Sequence, residues 1–191
     1  MKLRAGLITL LLASICFAQT PSRYGAPSYQ PPQTNYVLRC GTLIDGVSAQ
    51  PRRNVEVVVQ SNKIAEVRAA GSGAAPARAQ AIDLSARTCL PGLIDVHTHV
   101  LLQGDIIVDY DEQILKESSA YRAIRATAAA RLGLEHGFTA IRDLETEGAG
   151  YADVDLRNAI DQGIVPGPRM QVATRALDVT GAYALLGYNW E

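Results

Sequence analysis

Histidine is scarce in this chain. There are three among 191 residues, at positions 97, 99 and 136, so where they fall carries information. Cysteine is equally scarce, with three, too few for a disulfide scaffold, and their spacing does not resemble a zinc knuckle. No block of Lys and Arg occurs. The 18 basic and 19 acidic residues nearly cancel, leaving a formal net charge of −1, which argues against a nucleic-acid surface. No apolar run reaches the ~20 residues that a membrane-spanning helix needs, so no stable membrane anchor is expected. What the chain does have is 48% hydrophobic and 19% charged residues, a composition that supports a packed core in one domain or two small ones.

The first 18 residues read as an export signal rather than as fold. Lys2 and Arg4 give a positive start, residues 5–17 (AGLITLLLASICF) an apolar stretch, and Cys16-Phe17-Ala18 small residues at the positions a signal peptidase reads. Cleavage is expected after Ala18, with the product periplasmic or extracellular. Ile15 ahead of Cys16 does not suit lipidation. Residues 19–34 hold Pro21, Pro27, Pro31 and Pro32 among polar residues and read as a disordered linker. Export would leave Cys40 and Cys89, and an oxidising compartment permits a disulfide between them. The preferred expectation is two small buried hydrophobes, since free cysteine is often buried.

From residue 35 to 90 the pattern is β-rich, punctuated at Asp45-Gly46 and Asn62-Lys63. Val55, Val57 and Val59 alternate with Glu56, Val58 and Gln60, as in a half-buried strand. Residues 71–80 (GSGAAPARAQ) read as a surface loop. Beyond residue 99 the period changes. Residues 118–136 predict a helix with Tyr121, Ile124, Ala128, Leu132 and Glu135 at helical spacing, Ser118 or Ser119 at its start and Gly137 at its end. Residues 138–144 predict a strand, 153–162 a second helix closed by Gly163, and 169–176 a further strand after Pro166-Gly167-Pro168. This alternation implies parallel strands.

Between the two regions lies LPGLIDVHTH, residues 90–99. Side chains two apart on a strand share a face, so His97 and His99 project together. Paired imidazoles on a rigid strand suit zinc, which takes nitrogen ligands at about 2.0–2.1 Å. Asp95 shares their face one step deeper, where its carboxylate could orient a ligand. His136 falls at the end of a helix, where an imidazole more naturally meets the helix dipole than a metal.

The string 90–99 resembles the first barrel strand of the metal-dependent amidohydrolase superfamily, whose P-G-x-x-D-x-H-x-H pattern supplies two metal ligands. Residues 35–45 (NYVLRCGTLID) and 55–67 (VEVVVQSNKIAEV) resemble the small β-sandwich that precedes that barrel. Residues 137–144 (GFTAIRDL), 146–163 (TEGAGYADVDLRNAIDQG) and 165–175 (VPGPRMQVATR) resemble the imidazolonepropionase-like subgroup, which includes secreted prolidase-like dipeptidases.

The resemblance implies an α/β chain: part of a β-sandwich over 35–90, then over 91–191 the first three βα units of a (β/α)8 TIM barrel, truncated after the third strand. It implies His97 and His99 as zinc ligands, in a site holding one or two ions in the intact fold. The remaining ligands and the general base would lie beyond Glu191; Lys116, ahead of the first helix, does not occupy the position of the bridging lysine. The expected activity is hydrolysis of C–N bonds in small amides such as dipeptides by metal-activated water. The alternatives are an inactive truncated remnant, one half of a split protein that associates with its missing C-terminal part, and a secreted β-rich binding module with an incidental histidine pair. Arg142 and Asp143 at the end of the second barrel strand, Thr174 and Arg175 at the end of the third, and Glu145, Glu147 and Tyr151 on the intervening loop are candidates to border a substrate pocket, the other reading of the loop being a solvated one. Arg175 could meet a substrate carboxylate bidentately.

Overall fold

A computed structural model describes residues 34–104 and 109–177. The signal at 1–18, all but one residue of the linker at 19–34 and the last fourteen residues lie outside the described part. Two sheets follow one another along the chain. The first is built from β1 (Tyr36–Leu43), β2 (Arg52–Gln60), β3 (Lys63–Ala69) and β4 (Gln80–Cys89), in the order β3-β2-β1-β4. Both β1–β2 and β2–β3 are antiparallel, as their short connections dictate, while β4 lies parallel to β1. The second sheet is β5 (Leu93–Thr98), β6 (Phe138–Asp143) and β7 (Arg169–Val172), in that order and parallel throughout. Helices α1 (Tyr110–Lys116) and α2 (Ser119–Glu135) connect β5 to β6, and α3 (Ala152–Asp161) connects β6 to β7. Among the described residues no helix is long and apolar enough to cross a membrane.

Each sheet has its own core. Cys40, Leu43, Val55 and Val57 form one cluster; Leu101, Ala126, Ala130, Ile141, Ala149, Ala152, Leu156 and Met170 form the other. The alternation expected of β2 is only partly realised. Glu56 and Val58 are buried as well as Val55 and Val57, and Glu56 is tolerated there because Arg68 Nε donates to it at 3.1 Å.

The structure corrects the expectation for the cysteines: Cys40 and Cys89 form a disulfide, with Cα atoms 5.9 Å apart. Their sequence separation of 49 concealed a proximity that arises only from the pairing of β1 with β4.

The elements of the second half differ from expectation in three ways. Helix α1 is additional, capped by Asp109, whose carboxylate accepts from the Asp111 N–H, and it ends on Lys116, which is therefore helical and pairs with Glu112 at 3.1 Å. Helix α2 starts as predicted, with the Ser118 hydroxyl accepting from Tyr121 N–H. It turns a different face inward, however: Arg122, Ala126 and Ala130 are buried while Tyr121, Ile124 and Leu132 are exposed. Small alanines let the helix approach the sheet closely, and the larger residues are left outside. Finally, β7 stops at Val172 rather than continuing to Ala176, because Thr174 takes a left-handed φ of 64° and Arg175 N–H folds back onto the Ala173 carbonyl.

Candidate metal site at the strand ends

The chain enters β5 through Pro91-Gly92, where the backbone runs hard against the Thr139 side chain; a Cβ at Gly92 would collide with it. Leu93 N–H then donates to the Gly137 carbonyl at 2.8 Å. Gly137 itself holds a φ of 95°, the left-handed conformation that ends α2 and suits glycine. These contacts fix where β5 begins. The β5–β6 ladder is irregular on both sides of Ile94-Asp95, with shifts between Leu93 and Ile94 and between Asp95 and Thr98. Within the second gap, Asp95 Oδ1 accepts from the His97 N–H at 3.0 Å. Asp95 thus acts on the backbone of the histidine strand, one step removed from the imidazole it was expected to orient.

His97 and His99 are brought together, their ring centroids 5.4 Å apart and edge to face. A tetrahedral ion with Zn–N bonds of about 2.0–2.1 Å would hold two ligand-ring centroids about 5 Å apart, so the pair fits a shared transition metal. Among the described residues no group of three or more His, Cys, Asp or Glu is arranged to hold a metal; the pair is half of a donor set. Strand β6 runs parallel to β5, with Leu93 opposite Phe138 and Thr98 opposite Asp143. His136, two residues before β6, therefore lies at the other end of the sheet, where its Nδ1 bonds the Leu132 carbonyl at 2.9 Å.

Asp143 is fully buried at the end of β6. Its Oδ1 accepts from Val100 N–H at 2.7 Å and more weakly from the Thr98 hydroxyl at 3.4 Å, so it grips the residues on either side of His99. Among the described residues its Oδ2 has no hydrogen-bond partner. Burial pushes its pKa up to about 6, and the neighbouring Asp153 adds to the rise, against the Val100 N–H and the His99 ring. Asp153, also buried, is raised by desolvation as well; its Oδ2 accepts from Thr174 N–H at 2.9 Å and so joins α3 to the chain leaving β7.

The loop from Glu145 to Tyr151 is not simply solvated. Thr146, Glu147 and Ala149 are buried. Arg122 from α2 is buried beneath it and donates to the carbonyls of Leu101 (3.2 Å), Thr146 (2.8 Å) and Glu147 (2.8 Å). Burial lowers the pKa of that guanidinium, but the three carbonyls are acceptors suited to a cation. Arg122, Glu147 and Tyr110 form the support that sequence reasoning did not assemble; a charged residue among the alanines of α2 was the available signal. Arg142 is exposed on the sheet face opposite Ile141, and Arg175 stacks over Tyr151 at 5.2 Å. Asp143, grouped with these two in sequence, is spent on the backbone of β5 and shows no surface.

The protein is mixed α/β, with helices covering one face of the parallel sheet, and its paired imidazoles lie at the carboxyl end of β5, the end at which open α/β sheets bind their ligands. The pattern of the amidohydrolase family matches residues 88–186, half of the chain, and the chain belongs to that family, whose members generally bind metal ions. It is 31% identical over 81 residues to an imidazolonepropionase of Arthrobacter sp. (strain FB24), covering 42% of this chain and 20% of that protein. A solved Xaa-Pro dipeptidase with methionine in its active site superposes with a TM-score of 0.68 at 29% identity, covering 81% of this chain and 37% of the other. A prolidase complexed with N-methylphosphonate-L-proline gives 0.60 at 32%, covering 76% and 33%. The chain thus spans about a fifth of the first of these proteins and about a third of the other two.

Proposed function

We propose that the chain is part of an exported, zinc-dependent amidohydrolase that cleaves C–N bonds of small amides, dipeptides among them. The observation that carries this is the convergence of His97 and His99 at a spacing suited to one metal ion. The solved dipeptidase and prolidase relatives favour a dipeptide-sized substrate. On this reading the parallel sheet is the opening of a (β/α)8 barrel and the first sheet part of a β-sandwich, and the separate cores support treating 35–90 and 91–191 as distinct units.

His97 and His99 would hold the metal, with Asp95 and Asp143 fixing the backbone that presents them. When bound, zinc would supply Lewis acidity toward a scissile carbonyl and toward water. Arg175 would meet a substrate carboxylate, and Arg142 would border the pocket. The remaining ligands and the general base are assigned to residues outside those described, so turnover belongs to a protein of the relatives' length. The 191 residues alone should bind zinc weakly and hydrolyse nothing measurable, leaving association with a C-terminal part as the way an isolated chain would act.

Titration calorimetry tests the metal reading. His97→Ala and His99→Ala should each abolish zinc uptake, and His136→Ala should leave it unchanged. Unaltered affinity in the His97, His99 double variant would remove the assignment, and robust dipeptide hydrolysis by the 191-residue chain would overturn the division of labour. Export is tested by mass spectrometry of the secreted chain, which should begin at Gln19.

A further inference from the structure

We propose that Glu147 is a positioning residue for His99, holding its imidazole as the Nδ1–H tautomer so that Nε2 is the nitrogen presented to a metal ion; this rests on the metal reading above. His99 Nδ1 lies 3.2 Å from the Glu145 carbonyl oxygen and 3.6 Å from Glu147 Oε1. A carbonyl and a carboxylate can only accept, so the nitrogen facing them carries the proton. Ligand histidines commonly donate their second nitrogen to such groups, which fixes the ring and raises its basicity.

Glu147 is an improbable residue for a merely structural position. Its side chain is 4% exposed, and a buried carboxylate is costly unless satisfied. Its φ is 52°, a left-handed conformation that is strained for a non-glycine residue and clusters at functional sites. The surrounding structure holds it there. Tyr110 donates its hydroxyl to Oε2 at 2.8 Å, and Arg122 holds the main-chain carbonyls of Thr146 and Glu147 itself. Three elements, α1, α2 and the β6–α3 loop, thus converge on a carboxylate beside one imidazole.

Nitrogen-15 NMR of the 191-residue chain at alkaline pH reads the tautomer directly, without metal. The wild-type His99 should be Nδ1–H. In Glu147→Gln it should become a mixture with Nε2–H, and zinc should bind roughly tenfold more weakly. Tyr110→Phe, which leaves the carboxylate but removes its anchor, should shift both readouts less and in the same direction; it carries the test if Glu147→Gln does not fold. His136, whose Nδ1 faces Leu132 O, should keep its tautomer in every variant. A wild-type His99 protonated on Nε2 overturns the proposal. So does a folded Glu147→Gln, or failing that a Tyr110→Phe, with an unchanged His99 spectrum. If the wild type takes up no zinc, the metal reading and Glu147's role toward a metal fall together, whereas zinc uptake with an unchanged tautomer sinks the role of Glu147 alone.

Discussion

Replacing Asp143 by Asn should change stability in a pH-dependent way whose sign is set by burial. The folded carboxyl titrates near 6 against an ordinary 3.8, a rise of roughly 2 pH units, or about 3 kcal/mol. Because the folded value lies above the unfolded one, the native state retains a proton that the unfolded chain has released. The stabilisation is therefore complete below about pH 4 and is lost as pH rises through 6, where the native protein bears the whole cost of a buried anion. Asparagine is neutral throughout and keeps a carbonyl to accept from Val100 N–H and the Thr98 hydroxyl. Its amide would occupy the place of Oδ2, which has no partner among the described residues, and its unmet donors cost about 1–3 kcal/mol. The variant should thus gain about 1 kcal/mol over the wild type at pH 8, and that advantage should vanish or reverse by pH 4. Urea unfolding followed by circular dichroism at several pH values in this window measures it. A difference that does not vary with pH would refute the burial argument.

The disulfide closes a loop of about 50 residues, so reducing it should destabilise the first sheet by about 4 kcal/mol on the chain-entropy model, seen as a lower urea midpoint in dithiothreitol; no change would mean that the cysteines are not paired in solution. Arg122→Met should leave three carbonyls without their donor and cost about 2–4 kcal/mol, with faster amide exchange in the loop 145–150 than in the first sheet. Ser118→Ala should cost about 1 kcal/mol through loss of the α2 cap, measured by thermal unfolding; an unchanged midpoint would show that the cap is not formed.

Local signals in the sequence were reliable where a single residue type has one dominant use. Ser118 as a cap, Gly137 as a left-handed terminator and the alternation of strand and helix after residue 90 all stand in the structure. The convergence of His97 and His99 was readable for the same reason, since strand alternation is a local rule. What was not legible depends on tertiary pairing. Cys40 meets Cys89 because β4 returns parallel to β1, which no pattern over a short window encodes. The inward face of α2 was misleading because apolar spacing marks Tyr121, Ile124 and Leu132, whereas packing selected the small Ala126 and Ala130 and the well-satisfied Arg122. Glu147 could be named as a loop residue, but its burial depends on carbonyls presented to an arginine from a different element.

The bulged pairing of β5 makes register the address of the proposed metal site. Side chains alternate along a strand, so a slip of one residue would turn the imidazoles to the opposite face and bring Val96 and Thr98 to the place they vacate. The ladder itself guards weakly against this, because the pairing with β6 is interrupted on both sides of Asp95. The guard is placed instead at the two ends: Gly92 wedged against Thr139, and Asp143 gripping Thr98 and Val100. On the proposed metal reading, a substitution at either end would disarm the site while leaving both histidines in the sequence, and such a lesion would be read as loss of a ligand although its origin is a misaligned strand.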